Sequence, residues 1–543
     1  AYLIGPPPAT ESYLVAEKIL AVAERSGAGA VHPGYGFLAE NAGFARACAD
    51  AGIVFIGPPP EAIDAMGSKI EARSLMESSG VPIVPGVTDP VEDVSAARAI
   101  ADDIGYPVAV KAAAGGGGKG FRVALTADEL EGAFEGARRE SEKFFADSVV
   151  YLERYLREPR HVEVQILADT HGRTVHLGER DCSVQRRHQK LVEESPSPVV
   201  DADLRERMGN ASIRAAEAVG YTSAGTLEYL VSGDEFFFLE MNTRIQVEHT
   251  VTEMVTGVDL VREQIRVAAG EPLSVTQDDI VPRGHAFECR INAEDPARSF
   301  MPAPAPITRW RAPEGPGIRL DSGVSEGSDI PDIYDPMIAK LVVHDVDRES
   351  ARRRMLRALN EFDVAGPRTL IPFHRWLFAQ DDFIAGGACH AELAALVAGE
   401  LEIPGLAADA APAGEDAPEM TERMFTAEVS GRRFEVALRY PTADDGVAAT
   451  PTRKRKSRGG GGGGGGASAD PDAVLSPMQG TVLRVDAGPG DSVDAGQVVA
   501  VIEAMKMENE VTAHRAGTIA AVEVEPGASV SAGAVLVTLE PGE

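Results

Sequence analysis

The sequence predicts a multidomain α/β protein with a small all-β domain at its C-terminus. Its 543 residues exceed what a single hydrophobic core normally serves, so three or four domains are expected. Helical and strand patterns alternate from residue 1 to about residue 400, which is typical of α/β domains. Residues 471–541 instead contain short strand patterns separated by glycine turns, which predicts an all-β unit.

The composition is that of a globular protein, with 44% hydrophobic and 25% charged residues. A formal net charge of −32 argues against a nucleic-acid-binding surface, because such binding requires a basic face. No apolar run is long enough to cross a membrane, and no signal-peptide pattern opens the sequence. The cysteines are too scattered for a metal or redox motif, which favours a reducing, cytoplasmic location. They are Cys48, Cys182, Cys289 and Cys389.

Residues 1–66 are expected to form the first α/β domain. Ser12 is the expected N-cap of a helix that continues through Arg25. The apolar run 53–57 is followed by prolines, as expected of a buried strand. Because residues 1–5 read like the end of a strand, we expect the first elements of this domain to lie outside the numbered residues.

Two further α/β regions follow, at 67–282 and 283–400. The first mixes helices and strands, whereas the second begins with strands and then has a helix at 349–362 with one apolar face. Strands of the first region are expected at 107–111, 162–167 and 236–240.

Residues 401–470 are predicted to be a linker. It contains a short β segment at 421–440, a basic run at 453–458 and eight consecutive glycines at 459–466. A glycine tract behaves as a flexible tether. The basic run could dock on an acidic partner, but a solvated charge block is the favoured interpretation.

An internal repeat divides 471–541 into two similar halves. Residues 480–482 (Gly-Thr-Val) recur as 517–519 (Gly-Thr-Ile), an offset of 37 residues. Two such copies predict β halves packed about a pseudo-twofold axis. Lys506 falls between the copies, where a hairpin must join them, so the repeat predicts an exposed lysine on a protruding turn.

The sequence around Lys506 resembles the biotinyl domain of biotin-dependent carboxylases. Residues 504–507 read Ala-Met-Lys-Met, and Pro477-Met478 lies upstream. The resemblance implies a flattened β-barrel of the biotinyl/lipoyl type, covalent biotin on Lys506, and modification by a biotin protein ligase. Lipoyl domains share the fold and the hairpin lysine but lack the Met-Lys-Met frame, so a lipoyl carrier is the less favoured alternative.

A glycine-rich segment at 115–118 follows the strand that ends at Lys111. Tandem glycines let backbone N–H groups approach phosphate oxygens closely, and a lysine adds a point charge. The segment is not a P-loop, because no Gly-Lys-Ser/Thr ends it. From the residues alone, a flexible turn is an equally good interpretation.

Two carboxylates occur at equivalent positions of two apolar strands, Glu228 in 225–229 and Glu240 in 238–242. Burying a carboxylate is unfavourable unless it is paired or bound to a metal. A hairpin of these strands would bring both carboxylates to one site, where oxygen ligands suit Mg²⁺. Two half-exposed, salt-bridged glutamates are the alternative.

Polar side chains alternate along residues 242–248 (Asn-Thr-Arg-Ile-Gln-Val-Glu). In an extended segment, alternation would place Asn242, Arg244, Gln246 and Glu248 on one face. A surface strand shows the same pattern, so the periodicity alone does not identify a site.

Residues 1–400 resemble the biotin carboxylases of the ATP-grasp fold. The match is carried by MNTRIQVEH at 241–249, by ECRINAEDP at 288–296 and by the glycine-rich loop. The fold class that the whole sequence predicts is therefore a multidomain α/β ATP-grasp biotin carboxylase followed by an all-β biotinyl domain.

The resemblance also implies roles for individual residues. The implied catalytic groups are Glu248 as the base toward bicarbonate, Arg290 toward the biotin anion, Arg244 and Lys190. The implied bicarbonate contacts are Arg244, Gln246, Val247 and Lys190. The implied ATP contacts are Lys69, Lys111, Gly115, Gly116, Gly117, Gly118, Glu153, His161, Gln185 and His188. The implied ligands of Mg²⁺ (or Mn²⁺) are Glu228, Glu240 and Asn242.

The implied reaction is ATP-dependent carboxylation of carrier-bound biotin with bicarbonate, with a lid near 85–155. The numbered residues contain no carboxyltransferase pattern. The resemblance therefore indicates the biotin-containing α subunit of an actinobacterial acetyl-/propionyl-CoA carboxylase, whose partner would be a separate carboxyltransferase β subunit. Self-association of the biotin carboxylase part is also expected.

Three alternatives stay open. The chain could serve a carboxylase of pyruvate, urea, methylcrotonyl-CoA or geranyl-CoA. It could be a lipoyl-bearing component of another complex, although 67–300 would then be unexplained. It could be a non-enzymatic scaffold, which is disfavoured by the presence of Lys111, Glu228, Glu240, Glu248 and Arg290.

Overall fold

The computed structural model of the protein describes two compact units, one built on Ala1–Ile403 and the other on the C-terminal β-strands. The described residues are 1–87, 90–112, 121–145, 149–186, 189–404, 406, 420–429, 432–441, 472–476, 480–504, 507–530 and 533–540. Several sequence-based predictions fall outside this description. They concern Gly115, Gly116, Gly117, Gly118, His188, the glycine tract 459–466 and Lys506. No helix among the described residues is long and apolar enough to span a membrane.

The α-helices of the described residues all belong to the first unit. They are α1 (Ala16–Ser26), α2 (Ala42–Asp50), α3 (Pro60–Gly67), α4 (Lys69–Ser78), α5 (Val94–Ile104), α6 (Leu130–Phe145), α7 (Ala202–Ala218), α8 (His249–Thr256), α9 (Leu260–Ala268), α10 (Arg348–Glu361), α11 (Ile371–Leu377), α12 (Asp381–Ile384) and α13 (His390–Ala398).

The strands up to residue 365 also belong to the first unit. They are β1 (Ala30–Val31), β2 (Val54–Phe55), β3 (Val108–Ala112), β4 (Phe121–Ala124), β5 (Val150–Arg154), β6 (Arg160–Ala168), β7 (Thr174–Arg186), β8 (Gln189–Ser195), β9 (Ser223–Ser232), β10 (Glu235–Asn242), β11 (His285–Asn292), β12 (Glu294–Asp295), β13 (Met301–Pro302), β14 (Arg309–Arg311), β15 (Ile318–Ser322), β16 (Met337–Asp345) and β17 (Asp363–Ala365).

The remaining strands lie C-terminal to residue 419. They are β18 (Met420–Val429), β19 (Arg432–Pro441), β20 (Ala473–Leu475), β21 (Gly480–Val485), β22 (Ser492–Val493), β23 (Val498–Ala504), β24 (Met507–Thr512), β25 (Gly517–Val522), β26 (Ser529–Val530) and β27 (Val535–Leu539). Of these, β18 and β19 pair antiparallel where a short β segment was expected at 421–440.

Residues 1–66 form a small α/β layer around the parallel strands β1 and β2. The prediction that Ser12 caps the first long helix is wrong, because α1 begins at Ala16. The Ser12 hydroxyl instead donates to the carbonyl of Pro8 at 2.9 Å and stabilises the preceding turn. The core of this layer contains Ala23, Leu38, Phe44, Cys48 and Ile53.

An antiparallel sheet of eight strands forms the centre of the first unit, in the order β10-β9-β6-β7-β8-β11-β16-β15. Pairing of β8 with β11 makes this sheet continuous across the expected boundary at 282/283. Helix α7 packs against the sheet, and their shared core includes Val164, Met208 and Tyr229. Residues 162–168 of the central strand β6 are all buried, so any charged residue there needs a partner inside the protein.

A second, three-stranded sheet in the order β4-β3-β5 lies within residues 85–155 and packs against α5 and α6. It has its own hydrophobic core, which includes Val108, Phe134 and Leu152. This core is separate from that of the large sheet, so the segment packs as a distinct part of the first unit.

The C-terminal β-domain repeats its strands at the predicted offset of 37 residues, as β21 begins at Gly480 and β25 at Gly517. The two copies exchange strands: Thr481 is opposite Ser529, and Thr518 is opposite Ser492. Two four-stranded antiparallel sheets result, β20-β27-β25-β22 and β24-β23-β21-β26. This exchange is the pseudo-twofold arrangement that the repeat predicted.

Candidate active site

A hairpin of β9 and β10 brings the two strand carboxylates together. Glu240 is the register partner of Glu228 across the antiparallel pair. The Glu228 side chain is buried, whereas Glu240 is exposed. The Asn242 amide donates to Glu228 Oε1 at 2.9 Å. The three residues predicted to bind a metal therefore lie on one hairpin.

The ammonium of Lys190 joins three buried carboxylates. Its Nζ atom lies 2.6 Å from Glu163 Oε2, 2.9 Å from Glu228 Oε1 and 2.7 Å from Glu248 Oε1. Lys190 is on β8, while Glu163 is on β6 and Glu228 is on β9. Strands β6 and β9 are neighbours in the sheet, and β7 lies between β6 and β8. One cation thus links the hairpin to the residue predicted to be the base.

These contacts determine which groups of the site are charged. Burial alone would raise the pKa of Glu248, but Lys190, Arg290 and Arg180 outweigh it and hold that pKa well below its usual range. Burial also opposes ionisation of Glu228, and Lys190 with His161 still lowers its pKa. The carboxylates in turn overcome the effect of burial on Lys190 and raise its pKa well above the usual value. Glu248 is therefore an anion at neutral pH, as a base must be.

Residues 242–248 do not form the extended segment that the alternation predicted. Strand β10 ends at Asn242, and the chain bends and turns before α8 begins at His249. The turn carries Gln246 back to the hairpin, where its amide donates to Glu228 Oε1 at 2.7 Å. The polar side chains meet through the turn and its tertiary hydrogen bonds, so the strand periodicity gave the wrong conformation.

Arg244 is held at the bend by a residue from the first α/β layer. Its Nε donates to Glu40 Oε2 at 2.7 Å, and a terminal nitrogen donates to Asn242 Oδ1 at 2.8 Å. The other oxygen of Glu40 accepts from the backbone N–H of Thr243 at 3.1 Å. Glu40 therefore orients both the bend and the guanidinium.

Arg290 on β11 contacts the predicted base from the other side. Its Nη2 atom donates to Glu248 Oε2 at 2.9 Å, and its Nε donates to Glu193 Oε1 at 2.6 Å. The neighbouring Lys340 donates to the backbone carbonyl of Val247 at 2.7 Å. Glu248 is therefore fixed by one cation on each carboxylate oxygen.

Two central residues, Glu163 and Arg180, were not found from the sequence. Both side chains are completely buried, and Arg180 Nε donates to Glu163 Oε1 at 2.6 Å. Arg180 also donates to Gln246 Oε1 at 2.8 Å, which supports the turn before Glu248. One sequence feature could have revealed them, namely a glutamate between two valines in the apolar strand β6. A charge buried in such a strand needs a partner inside the protein.

The residues predicted to contact ATP lie in two places. Lys111 and Glu153 form an ion pair within the three-stranded sheet of the lid segment. His161 and Gln185 lie at the large sheet, where His161 Nε2 is 2.7 Å from Glu228 Oε2. The amide of Gln185 donates to the Cys182 carbonyl at 2.7 Å. Lys69 begins helix α4, directly after its N-cap Ser68.

The donors on the hairpin fit a hard divalent cation. Glu228, Glu240 and Asn242 supply carboxylate and amide oxygens, which are the ligand types that Mg²⁺ prefers. The side chains of His161, Glu163 and Glu228 also converge, with ligand atoms within 4.8 Å of one another. In that cluster, however, the ammonium of Lys190 already bridges Glu163 and Glu228.

Comparison with known families accounts for most of the chain. Four family descriptions match: "Biotin carboxylase, N-terminal domain" at 1–63, "Carbamoyl-phosphate synthase L chain, ATP binding domain" at 68–276, "Biotin carboxylase C-terminal domain" at 288–393 and "Biotin-requiring enzyme" at 472–539.

Two curated relatives differ in how much of the chain they match. A pyruvate carboxylase subunit from Methanothermobacter thermautotrophicus is 53% identical over 386 residues, which cover 71% of this chain and 79% of the relative. The biotin-dependent acyl-coenzyme A carboxylase alpha3 subunit of Mycobacterium leprae is 45% identical over 523 residues, which cover 95% of this chain and 87% of the relative.

Solved structures of biotin carboxylase domains also match this chain, over 73% of its length. The biotin carboxylase domain of a thermophilic 2-oxoglutarate carboxylase, bound to bicarbonate, is 45% identical with a TM-score of 0.70, over 73% of this chain and 88% of that one. A biotin carboxylase domain dimer of the Hydrogenobacter thermophilus enzyme, in complex with MgADP, ADP and bicarbonate, is 46% identical with a TM-score of 0.65, again over 73% of this chain and 88% of that one.

The fold and the comparisons define an ATP-grasp ligase joined to a biotinyl domain, which confirms the predicted fold class. The chain belongs to the biotin carboxylase family, whose reaction is the ATP-dependent carboxylation of biotin. Covalent biotin, ATP and Mg²⁺ are the cofactors that this family membership implies.

Proposed function

We propose that Glu248 is the base that deprotonates bicarbonate, and that Lys190, Arg244, Gln246 and the backbone of Val247 bind the anion. The observation that carries this proposal is the clamp on Glu248, whose two oxygens contact Lys190 and Arg290. The clamp keeps the carboxylate ionised, and a cation next to the base also attracts an anionic substrate.

For the nucleotide, we propose contacts from both the lid segment and the large sheet. The proposed set is Lys69, Lys111, Gly115, Gly116, Gly117, Gly118, Glu153, His161, Gln185 and His188. Glu228, Glu240 and Asn242 would hold Mg²⁺, which neutralises charge on the phosphates when it is bound. We propose the lid at 85–155, within an ATP-grasp domain at 67–282.

The proposed chemistry has two steps. Bicarbonate attacks the γ-phosphoryl group of ATP in line, which gives carboxyphosphate and ADP. Carboxyphosphate then breaks down to CO₂ and phosphate inside the closed site, where the lid excludes water. When bound, biotin supplies the nitrogen nucleophile, N1′, which would give its proton to the released phosphate as it bonds to CO₂. Arg290 stabilises the negative charge that develops on the ureido group, as an oxyanion-type donor.

We further propose that the chain is the α subunit of an actinobacterial-type acetyl-/propionyl-CoA carboxylase. In this proposal, biotin on Lys506 of the 471–541 domain carries the carboxyl group to a separate carboxyltransferase β subunit. The support is the Mycobacterium leprae relative, which matches from the carboxylase region into the carrier region. The remaining proposed domains are 1–66, 283–400 and the linker 401–470. A biotin protein ligase and a second carboxylase copy are the other proposed partners.

Carboxylation of pyruvate is the second candidate. It is favoured by the 53% identity to the pyruvate carboxylase relative, although that match covers 71% of the chain. The two candidates differ in the acceptor that the partner subunit presents.

The carrier assignment is tested by mass spectrometry and streptavidin blotting of the intact chain after co-expression with a biotin protein ligase. We expect a single biotin on Lys506 and none on Lys506→Arg. Lys506→Arg should still carboxylate free biotin, because its catalytic residues are unchanged. Biotin found at a different lysine contradicts the assignment.

The substrate is tested with partner subunits captured on streptavidin. We expect ATP turnover that depends on acetyl-CoA or propionyl-CoA and not on pyruvate. The opposite dependence would reject the acyl-CoA proposal in favour of the second candidate. Glu248→Gln should lower bicarbonate-dependent ATP turnover by about 10²–10⁴-fold, the range typical of a general base.

A further inference from the structure

Two buried carboxylates behind Arg290 are not used in the proposed reaction. Glu193 on β8 and Glu288 on β11 are register partners, and both side chains are completely buried. Directly opposed residues of an antiparallel pair have Cβ atoms about 4.5–5.5 Å apart. If both carboxylates of such an opposed pair were ionised and shielded from water, their charges would repel each other.

Each of these carboxylates uses one oxygen and leaves the other unpaired among the described residues. Glu193 Oε1 accepts from Arg290 Nε at 2.6 Å, and Glu288 Oε2 accepts from the hydroxyl of Thr250. Glu193 Oε2 and Glu288 Oε1 have no hydrogen-bond partner within the described part of the chain. An unpaired buried oxygen is unfavourable, and one proton shared by the pair would satisfy both.

The surroundings of the pair favour retention of a proton. Burial raises the pKa of Glu193 to about 8, and burial also raises the pKa of Glu288. Arg290 opposes this effect at both carboxylates and Lys340 opposes it at Glu288, whereas the negative charge of Glu248 reinforces it at both. The titratable and charged groups that face the pair are Tyr35, Cys182, Glu248, Cys289, Arg290 and Lys340.

We propose that Glu193 and Glu288 share one proton in the resting enzyme and that this pair positions Arg290 against Glu248. With the proton present, the pair accepts a hydrogen bond from Arg290 Nε and carries one negative charge instead of two. Arg290 then keeps its Nη2 contact with Glu248 at 2.9 Å. Release of the proton to solvent adds a second charge behind the guanidinium and draws it away from Glu248. Glu193 and Glu288 are positioning residues, and the inference rests on the proposed function of Arg290.

The first test is the pH dependence of ATP turnover by the full chain with free biotin as substrate. In the wild type we expect kcat to fall about tenfold per pH unit above an apparent pKa near 8. In Glu193→Gln the alkaline fall should be absent, because an amide oxygen accepts from Arg290 Nε at every pH.

Glu194→Gln is the matched control, since Glu194 is the next residue of β8 and bonds instead to His285 and Arg348. It should keep the alkaline fall of the wild type. The proposal is overturned if folded Glu193→Gln keeps the same alkaline fall, or if it is inactive at every pH.

The second test does not depend on catalysis. Infrared difference spectra between about pH 7 and about pH 10 detect the C=O stretch of carboxyl groups that lose a proton across this range. We expect this band in the wild type and its loss in the Glu193→Gln, Glu288→Gln double variant. Identical spectra would overturn the shared proton even if the proposed function holds. The band in a chain without biotin-dependent turnover would support the shared proton and count against the proposed function alone.

Discussion

Lys190 Nζ lies 2.7 Å from Glu248 Oε1 and 2.9 Å from Glu228 Oε1, so a single ammonium connects the proposed base to the proposed metal ligand. Both carboxylates and the lysine side chain are almost entirely shielded from solvent. Removing the cation would leave three buried carboxylates, including Glu163, without their common partner.

Lys190→Met should therefore destabilise the first unit by about 3–5 kcal/mol, the usual cost of breaking a buried ion pair from one side. Urea unfolding followed by far-UV circular dichroism measures this change. Arg207→Met is the control, because the Arg207–Asp203 pair on α7 is exposed and should contribute less than about 0.5 kcal/mol. Equal losses in the two variants would contradict the central position of Lys190.

Glu228→Gln should raise the Mg²⁺ concentration that gives half-maximal ATP turnover by at least about tenfold. The reason is that an amide replaces a charged oxygen ligand at the centre of the hairpin. Steady-state kinetics at saturating ATP measures the change. Glu206→Gln, at an exposed position of α7, should leave the Mg²⁺ requirement unchanged. An unchanged requirement in Glu228→Gln would remove this residue from the metal site.

Glu40→Gln should raise the KM for bicarbonate about tenfold with a smaller change in kcat. Glu40 holds Arg244 through a charge-assisted hydrogen bond of 2.7 Å, and loss of such a bond typically costs about 1.5 kcal/mol. Glu235→Gln removes a comparable contact, to Arg154, outside the site and serves as the control. A KM that is unchanged in Glu40→Gln would show that Arg244 does not depend on Glu40.

Acidification should lower the unfolding free energy of the first unit, partly because Glu248 becomes protonated. Its pKa is lowered in the folded state relative to the usual value of 4.5, so the unfolded chain binds the proton first as the pH falls. This contribution is fully present above about pH 5 and is lost on acidification. The difference in unfolding free energy between wild type and Glu248→Gln should therefore shrink as the pH falls below about 4.5. A difference that is independent of pH would contradict the lowered pKa.

Glu193 should produce the opposite pH dependence. Its pKa is raised to about 8, so the folded chain holds a proton that the unfolded chain releases above about pH 4.5. The stability of the wild type relative to Glu193→Gln should thus decline as the pH rises toward 8, by up to about 1.4 kcal/mol per pH unit, and then level off. Parallel urea titrations of the two proteins measure this decline. A constant difference would show that Glu193 is ionised in the folded state.

Local sequence patterns predicted the structure correctly for single elements and for pairs of strands that are neighbours in sequence. The apolar spacing predicted a helix at 349–362, and α10 occupies Arg348–Glu361 with Asp347 as its N-cap. The strand patterns around Glu228 and Glu240 predicted a hairpin, and the register places the two residues opposite each other. Pairing of adjacent strands is short-range, so few other contacts compete with it.

The patterns failed where distant residues determine the conformation. The alternation at 242–248 suggested an extended strand, but the segment bends, with Arg180 donating to Gln246 and Glu40 accepting from the backbone N–H of Thr243. Neither Arg180 nor Glu40 is near that segment in sequence. The prediction that Ser12 caps a helix failed for a local reason. The Ser12 hydroxyl donates instead to the carbonyl of Pro8, four residues earlier, within a turn.

The contact of Glu40 with residues 243 and 244 spans about two hundred positions of the chain. Recombination between related carboxylases with a single crossover anywhere between these positions would combine a Glu40 segment and a bend from different parents. We expect such hybrids to keep their fold but to bind bicarbonate more weakly, unless both parents have an acidic residue and an arginine at the positions of Glu40 and Arg244. A library designed for new specificity should therefore exchange 1–66 and the segment after β10 together.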